Sequence, residues 1–168
     1  IVPRPIKSCT FQGPSDARYT GSAVTPIFSI NTGYTQLRNG ADYTYTVRNN
    51  VKPGNAIVTI KGDGKYYIGT TTKVFHIYVA PVSGLTSSGR SGTTAVIRWN
   101  RSGTADGYRV TYTSTRGVRK MLITSGSANN YKLTDLGSGS TQVLVEAYVA
   151  GSSGQPIAYS TPESIYVR

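Results

Sequence analysis

Two neighbouring segments in the first half of the chain alternate between apolar and polar residues with a period of two, which is typical of half-buried β-strands. Between them, residues 49–54 are rich in Asn, Pro and Gly, which suit turns. The pattern therefore predicts one β-hairpin over residues 39–62. An isolated hairpin is not stable in water, so neighbouring segments are expected to complete a sheet. The apolar positions are Tyr43, Tyr45 and Val47, then Ala56, Val58 and Ile60.

Shorter alternating segments flank this hairpin. They predict strands at residues 6–11, 34–37 and 72–79, while the proline-interrupted residues 1–5 are expected to form an edge or a linker. Ala80-Pro81 is the predicted domain boundary, because the composition shifts directly afterwards to the Gly/Ser-rich residues 83–92.

The second half of the chain repeats the same type of pattern. We predict strands at residues 94–99, 107–112, 121–124, 131–136, 141–149 and 164–167. No window of ten or more residues shows a helical period, and no apolar run is long enough for a transmembrane helix. The fold class predicted is all-β, with two β-sandwich domains in tandem at residues 1–80 and 81–168.

Several short motifs in the first predicted domain occur in an order that resembles the immunoglobulin-like repeat found in tandem in surface proteins of Gram-positive bacteria. The segment between Gly64 and Gly69 is one residue longer than the usual pattern, which affects a loop. The resemblance implies a stalk or interaction module outside the cell. The motifs are Tyr19-Thr20-Gly21 with Pro26, Gly40-Ala41-Asp42-Tyr43-Thr44, Asn49-Asn50 with Gly54, Val58-Thr59-Ile60-Lys61-Gly62, and Gly64, Tyr66 and Gly69-Thr70 before Phe75-His76-Ile77.

Residues 81–168 resemble a fibronectin type III domain. In such domains a Tyr usually lies at the corner that follows the Leu, whereas this chain has Thr141 at the matching place. The chain contains no Arg-Gly-Asp, so integrin binding is not implied. The motifs that carry the resemblance are the strand ending in Trp99, Tyr108-x-Val110-x-Tyr112, Tyr131-x-Leu133-x-x-Leu136 and Val143-x-Val145-x-Ala147-Tyr148.

Charge adds a property that the fold pattern does not contain. The chain has 18 Lys and Arg against seven Asp and Glu, a formal net charge of +11, and the excess is spread over both halves. An even excess of this kind favours loose association with polyanions such as nucleic acid, teichoic acid or sulfated glycan. The alternative is that it keeps the protein soluble and offsets acidic regions elsewhere.

Few residues offer catalytic or metal-binding chemistry. His76, the only histidine, lies in an alternating strand, and Cys9, the only cysteine, is expected to be a small buried hydrophobe. Asp63-Gly64 lacks the further acidic ligands of a calcium loop, so we interpret it as a turn. Gly62-x-Gly64 is not followed by a helix that would hold phosphate. We therefore predict no enzyme activity, no catalytic residues, no metal and no cofactor.

The densest basic cluster is formed by Arg116, Arg119 and Lys120 in the predicted loop between Tyr112 and Met121. These three residues are the candidate anion-binding site, because exposed cations there would form charge-assisted hydrogen bonds with phosphate or sulfate. The alternative is a solvated hairpin tip whose positive charge discourages edge-to-edge pairing.

These observations predict a non-catalytic extracellular stalk or spacer, or an accessory interaction segment, of a larger bacterial surface or secreted protein. One alternative is an adhesin-type module that binds an anionic glycan or another polyanion, and another is an accessory region of a carbohydrate-active or cell-wall enzyme. The expected partners are a glycan, a cell-wall polymer or a host surface protein, without specific nucleic-acid binding, and the chain is expected to be a monomer. Since Ile1-Val2-Pro3 does not resemble a signal peptide, any export signal or wall anchor is expected outside this sequence.

Overall fold

The computed structural model describes residues 2–168. The chain divides into two compact units, Ile1–Tyr78 and Val79–Arg168. Both are built from β-strands, and the only helical element in the described residues is one 3₁₀ turn. Among the same residues, no helix is long and apolar enough to span a membrane. The fold is all-β, as predicted.

The first unit is built around a four-stranded sheet in the order β3-β8-β6-β5, accompanied by the two-stranded sheets β2-β4 and β1-β7. β5 and β6 form the central hairpin, and β8 pairs with the far side of β6. The strands are β1 (Arg4–Pro5), β2 (Thr10–Gln12), β3 (Ala17–Arg18), β4 (Ser29–Asn31), β5 (Tyr43–Arg48), β6 (Gly54–Gly62), β7 (Tyr67–Ile68) and β8 (Thr70–Tyr78).

The predicted hairpin is confirmed in its pairing and in its buried face. Tyr45 lies opposite Ile60 and Val47 opposite Val58, so the apolar positions of both arms share one face. Val58 and Ile60 are fully buried, and Phe75 and Ile77 of β8 join the same core. Packing these side chains between sheets removes apolar area from water, which stabilises the unit. Edge-to-face ring contacts also contribute: the centroid of Phe28 lies 5.2 Å from that of Tyr45.

The start of the first unit differs from the prediction of a strand at residues 6–11. Ile6–Ser8 forms a 3₁₀ turn, closed by a hydrogen bond from the Cys9 amide to the Ile6 carbonyl, and β2 begins only at Thr10. The turn lets Ile6 and Cys9 both point into the core, which a regular strand would not allow for residues three apart. The predicted edge is present as β1, and Ile1 lies outside the described residues.

The predicted strand at residues 34–37 is also absent. Thr32 and Gly33 turn the chain back directly after β4, and the returning segment makes one isolated bridge, between Gln36 and Asn31, and a hydrogen bond from the Leu37 amide to the Ile30 carbonyl. Gly33 has a φ of +97°, which favours glycine. The turn is so tight that the two pairing interactions are not extended into a strand.

The second unit consists of a three-stranded sheet, β13-β10-β9, and a five-stranded sheet in the order β12-β11-β14-β15, in which β16 also pairs with β14. All pairings in both sheets are antiparallel. The strands are β9 (Ser83–Ser91), β10 (Thr94–Asn100), β11 (Gly107–Ser114), β12 (Gly117–Ile123), β13 (Asn130–Leu133), β14 (Thr141–Ala150), β15 (Pro156–Tyr159) and β16 (Glu163–Val167).

The core of the second unit lies between these two sheets, and it uses the alternating residues that the sequence predicted. Trp99 of β10 contacts Tyr108 of β11, with ring centroids 5.3 Å apart. At the corner before β14, where such domains usually have a Tyr, Thr141 is buried. The Tyr112 hydroxyl accepts a hydrogen bond from the Thr134 amide. The other buried members include Ala95, Ile97, Val110, Leu133, Leu136, Val143, Val145, Ala147 and Val149.

Two strands of the second unit were not predicted, and a third is longer than predicted. The Gly/Ser-rich residues 83–92 contain β9, which pairs with β10 through two register irregularities. The short strand predicted at residues 121–124 is part of β12, which begins at Gly117, and β15 had no predicted counterpart. In each case the strand is formed because its backbone pairs with a neighbour, although its own residues do not form a strong apolar alternation.

Candidate interaction surfaces

The three residues of the predicted basic cluster lie on the β11–β12 hairpin. Arg116 is in the turn, as predicted, but Arg119 and Lys120 lie within β12, opposite Tyr112 and Thr111 of β11. Assigning all three to a loop was therefore wrong. Because neighbouring residues of a strand point to opposite faces, Arg119 and Lys120 cannot converge on one small ligand.

Asp135 lies beside two of the three cations. The distance from Arg119 Nη2 to Asp135 Oδ2 is 3.0 Å, and that from Arg116 Nε to the same oxygen is 4.0 Å. Arg119 also donates from Nε to the Ser114 hydroxyl. This arrangement is not visible in the sequence, because Asp135 follows β13 and comes close to Arg119 only in the fold. Lys120 has no ion-pair partner among the described residues. Anion binding by the three residues stays a prediction.

Six of the seven carboxylates in the chain are already engaged. Asp135 and Glu146 form ion pairs with arginines. Four others accept hydrogen bonds from backbone amides: Asp16 from His76 at 2.7 Å, Asp42 from Arg38 at 2.8 Å, Asp63 from Lys65, Tyr66 and Tyr67, and Asp106 from Ala150 at 2.7 Å.

This use of the carboxylates leaves most basic side chains unneutralised. Of the 18 Lys and Arg, only Arg109, Arg116 and Arg119 form ion pairs within the described residues, so 15 have no ion-paired carboxylate. The excess charge is therefore distributed over the surface of both units. A distributed field attracts polyanions over a distance of about a Debye length, roughly 8 Å at physiological salt.

The outer face of the hairpin in the first unit carries an ordered set of hydroxyl groups. Thr46, Thr59 and Thr72 lie side by side across β5, β6 and β8, and Lys61 lies between Thr44 and Thr70 in the next row. Lys61 and its threonine neighbours line an open depression of about 190 Å³. We call this surface the hydroxyl face. Thr44, Thr46, Thr59 and Lys61 alternate with the apolar positions of the hairpin and so lie on its other face, but the row with Thr72 depends on the register with β8.

His76 lies in a strand, β8, as predicted, and its side chain is exposed. The Nδ1 atom of its ring is 3.2 Å from the Asn55 side-chain oxygen, and Asp16 accepts a hydrogen bond from the His76 backbone amide and not from the ring. The described residues place no carboxylate–histidine hydrogen bond at this position. The interaction with Asp16 instead continues the pairing of β3 with β8, so its effect is structural.

Cys9 is buried in the core of the first unit, with 7% of its surface exposed. Burial raises the pKa of the Cys9 thiol, and the positive charge of Arg4 opposes this effect only in part. Since the thiolate is the nucleophilic form, the thiol has little reactivity in the folded protein.

Asp63 is at the turn between β6 and β7, as predicted. Its Oδ1 atom accepts hydrogen bonds from the amides of Lys65, Tyr66 and Tyr67, the last at 2.7 Å. These hydrogen bonds, that from Tyr67 above all, lower the pKa of the Asp63 carboxyl. Among residues 2–168, no group of three or more His, Cys, Asp or Glu side chains is arranged to hold a metal ion.

Comparison with known proteins gives a structural result only. No family model matches the chain, and no curated protein sequence matches it. A two-domain fibronectin type III segment of chicken tenascin matches 96% of this chain and 97% of its own length, with a TM-score of 0.59 and 16% identity. A fibronectin type III domain of human collagen XX matches 54% of this chain and 95% of its own length, with a TM-score of 0.42 and 17% identity.

The tenascin match covers both units and shows that they have the β-sandwich fold of fibronectin type III and immunoglobulin-like domains. At 16% identity it shows the fold alone. Any assignment of function therefore depends on the surfaces described above.

Proposed function

We propose that this chain is a non-catalytic segment of an extracellular bacterial protein, which spaces or presents another region and associates loosely with polyanions through its distributed positive charge. The observation that carries this proposal is the pairing of charges: within residues 2–168, 15 of the 18 basic side chains lack an ion-paired carboxylate. The extracellular and bacterial context is supported by the motifs of residues 6–79 that resemble the tandem repeats of Gram-positive surface proteins.

The spacer part of the proposal is supported by the way the polar groups are used. Asp16, Asp42, Asp63 and Asp106 each bind backbone amides, so these carboxylates hold turns and strand ends in place. Cys9 is buried, and the His76 ring contacts an amide side chain. Side chains that in enzymes act as acids, bases or nucleophiles serve here to stabilise the fold.

A second candidate function is the specific binding of an anionic glycan at the hydroxyl face. Lys61 would contact a sulfate or phosphate group, and the threonine hydroxyls around it would donate hydrogen bonds to the sugar oxygens or the anion. This candidate differs from the first because it requires one site and one class of polymer.

The two candidates are distinguished by measuring binding to heparin, to teichoic acid and to double-stranded DNA over a salt range of about 50 to 500 mM. Distributed charge predicts that the affinities for all three polymers fall as salt increases and rank in the order of their charge densities, since only the charge density of the polymer matters. A polymer that stays bound at salt concentrations where a polymer of higher charge density has dissociated would contradict the first candidate and support the second.

A further inference from the structure

The exposed apolar residues of the second unit are concentrated on one surface. All five of its exposed large hydrophobic side chains point outward from the five-stranded sheet, on the face directed away from the core. We call this surface the apolar face. Its members, with their exposed fractions, are Val118 at 66%, Tyr166 at 61%, Ile157 at 52%, Leu122 at 42% and Tyr159 at 37%.

The opposite side of the sandwich has a different character. Facing outward from the three-stranded sheet are residues such as Arg98, Asn130 and Lys132, and no exposed large hydrophobic side chain of the second unit lies there. Both surfaces belong to the same small unit, so general hydrophobicity does not explain the difference. Contiguous exposed apolar surface on a soluble domain marks an interaction site more often than chance.

The charges on the apolar face are arranged so that its middle is electrically neutral. Leu122, Arg109 and Glu146 lie in one row across β12, β11 and β14, and the Arg109 and Glu146 side chains form an ion pair through two hydrogen bonds. The Arg109 guanidinium also lies over the Tyr159 ring, 3.8 Å from its centroid. Its charge is therefore satisfied within the sheet.

The row of the sheet next to Leu122, Arg109 and Glu146 contains a positive charge that is not neutralised, that of Lys120. Lys120 is exposed and lies beside Thr111, which in turn lies beside Leu144. Lys120 has no ion-pair partner among the described residues, and its neighbours in the row are uncharged. A partner that covers this row would bury Lys120 unless it supplied a negative charge, and burial of an unpaired charge is unfavourable.

We propose that the apolar face is a docking surface for a protein whose own surface is largely apolar and carries carboxylates that pair with Lys120. β12 has seven residues, which corresponds to a length of about 23 Å. Four strands lie side by side across the sheet, since β15 and β16 both pair with β14, and this corresponds to a width of about 19 Å. Such an area is at the small end of protein–protein interfaces, so the complex is expected to be transient.

The positive charge of the chain favours an acidic partner over a second copy of the chain. Two copies would each bring a net charge of +11 and an unpaired Lys120 to the interface. Their repulsion opposes self-association, whereas an acidic partner is attracted by the same field.

The test uses two synthetic probes, a peptide that alternates leucine with glutamate and one that alternates leucine with lysine. The full chain is labelled with ¹⁵N, and amide shifts are followed during titration with each peptide. The proposal predicts that the leucine–glutamate peptide shifts amides of β12, β15 and β16, and that the leucine–lysine peptide binds at least about tenfold more weakly. Equal binding of both peptides, shifts outside the apolar face or no binding would overturn it.

Two matched pairs of variants locate the interaction. Lys120→Glu is expected to weaken binding of the leucine–glutamate peptide by about tenfold or more, while Lys132→Glu makes the same change in net charge on the other sheet and leaves binding nearly unchanged. Likewise, Tyr166→Ser should weaken binding, whereas Tyr78→Ser, in the first unit, should not. Equal effects within either pair would overturn the proposal, as would a dimer of the unmodified chain that Tyr166→Ser dissociates in sedimentation analysis. Circular dichroism confirms that each variant is folded.

Discussion

The Arg109 guanidinium donates two hydrogen bonds to the Glu146 carboxylate, from Nε to Oε2 at 2.7 Å and from Nη2 to Oε1 at 2.8 Å. The two residues lie directly opposite each other on β11 and β14, so the strand register itself brings them together. Only 28% of the Arg109 side chain and 13% of the Glu146 side chain are exposed. This two-point geometry is the strongest form of ion pair available to arginine.

Replacing Glu146 with Gln is expected to destabilise the second unit. The ion pair is partly buried, so its loss lies between the values for exposed and for buried pairs, at about 1–2 kcal/mol. For a domain of this size that corresponds to a decrease in Tm of roughly 5–10 °C in calorimetry. Arg116→Gln is the control, because Arg116 is 76% exposed and lies 4.0 Å from Asp135. If both variants lowered Tm equally, burial would not determine the strength of the pair.

The lowered pKa of Asp63 predicts that the stability of the first unit depends on pH. Its pKa is lowered in the folded state, so the charged carboxylate stabilises the fold fully above its ordinary value of 3.8, and this contribution is lost as the pH falls through the lowered pKa. The Tm difference between the unmodified chain and Asp63→Asn should therefore be constant near neutral pH and shrink as the pH falls below 3.8. A difference that stays constant down to about pH 2 would show that the amide hydrogen bonds do not depend on the carboxylate charge.

Gly107→Ala is expected to be strongly destabilising, because an added Cβ atom would contact the Ile123 carbonyl and come within 2.5 Å of the Tyr148 hydroxyl oxygen. The carbonyl belongs to the paired strand β12 and cannot move without breaking the sheet. We expect a loss of about 3 kcal/mol or more in denaturant unfolding. At Gly103, in the same unit, a Cβ would meet no atom within 4 Å, so Gly103→Ala should change stability little. Similar losses in both variants would show that Tyr148 and β12 can rearrange around the new methyl group.

Gly54→Ala tests the turn of the central hairpin. Gly54 has a φ of +128°, while space for a side chain is open, so the cost comes from backbone strain alone. We expect the first unit to lose about 1–3 kcal/mol without any change in binding to polyanions. A variant of unchanged stability that bound polymers less well would identify the hairpin turn as a recognition surface.

Much of the fold could be predicted because its strands are specified locally. In β10, β11 and β14 the alternation of apolar residues places Trp99, Tyr108 and Val145 in the core without reference to their partners. The strand β9 could not be predicted in this way, because its Ser and Gly residues form no apolar pattern and its structure depends on pairing with β10. Likewise, the turn at Ile6 could not be predicted, because it directs both Ile6 and Cys9 into the core, whereas an alternation with a period of two places them on opposite faces.

The candidate surfaces were less predictable than the fold. Arg119 and Lys120 are neighbours in sequence but lie on opposite faces of β12, and the carboxylate of Asp135 comes from a different strand end. The hydroxyl face needs the register that aligns Thr59 with Thr72. The apolar face was missed because its residues come from three strands, β12, β15 and β16, that come together only in the folded sheet.

The central claim is that the positive charge of this chain acts as a distributed field. It is tested most directly by the affinity for heparin of three single variants, Lys61→Gln on the hydroxyl face, Lys120→Gln in the basic cluster and Lys132→Gln on the three-stranded sheet. All three lysines are exposed, and each variant removes one charge. A distributed field predicts equal losses of about threefold or less for all three. A loss of tenfold or more at only one of them would contradict the claim and locate a specific anion site, at the hydroxyl face for Lys61 or at the cluster for Lys120.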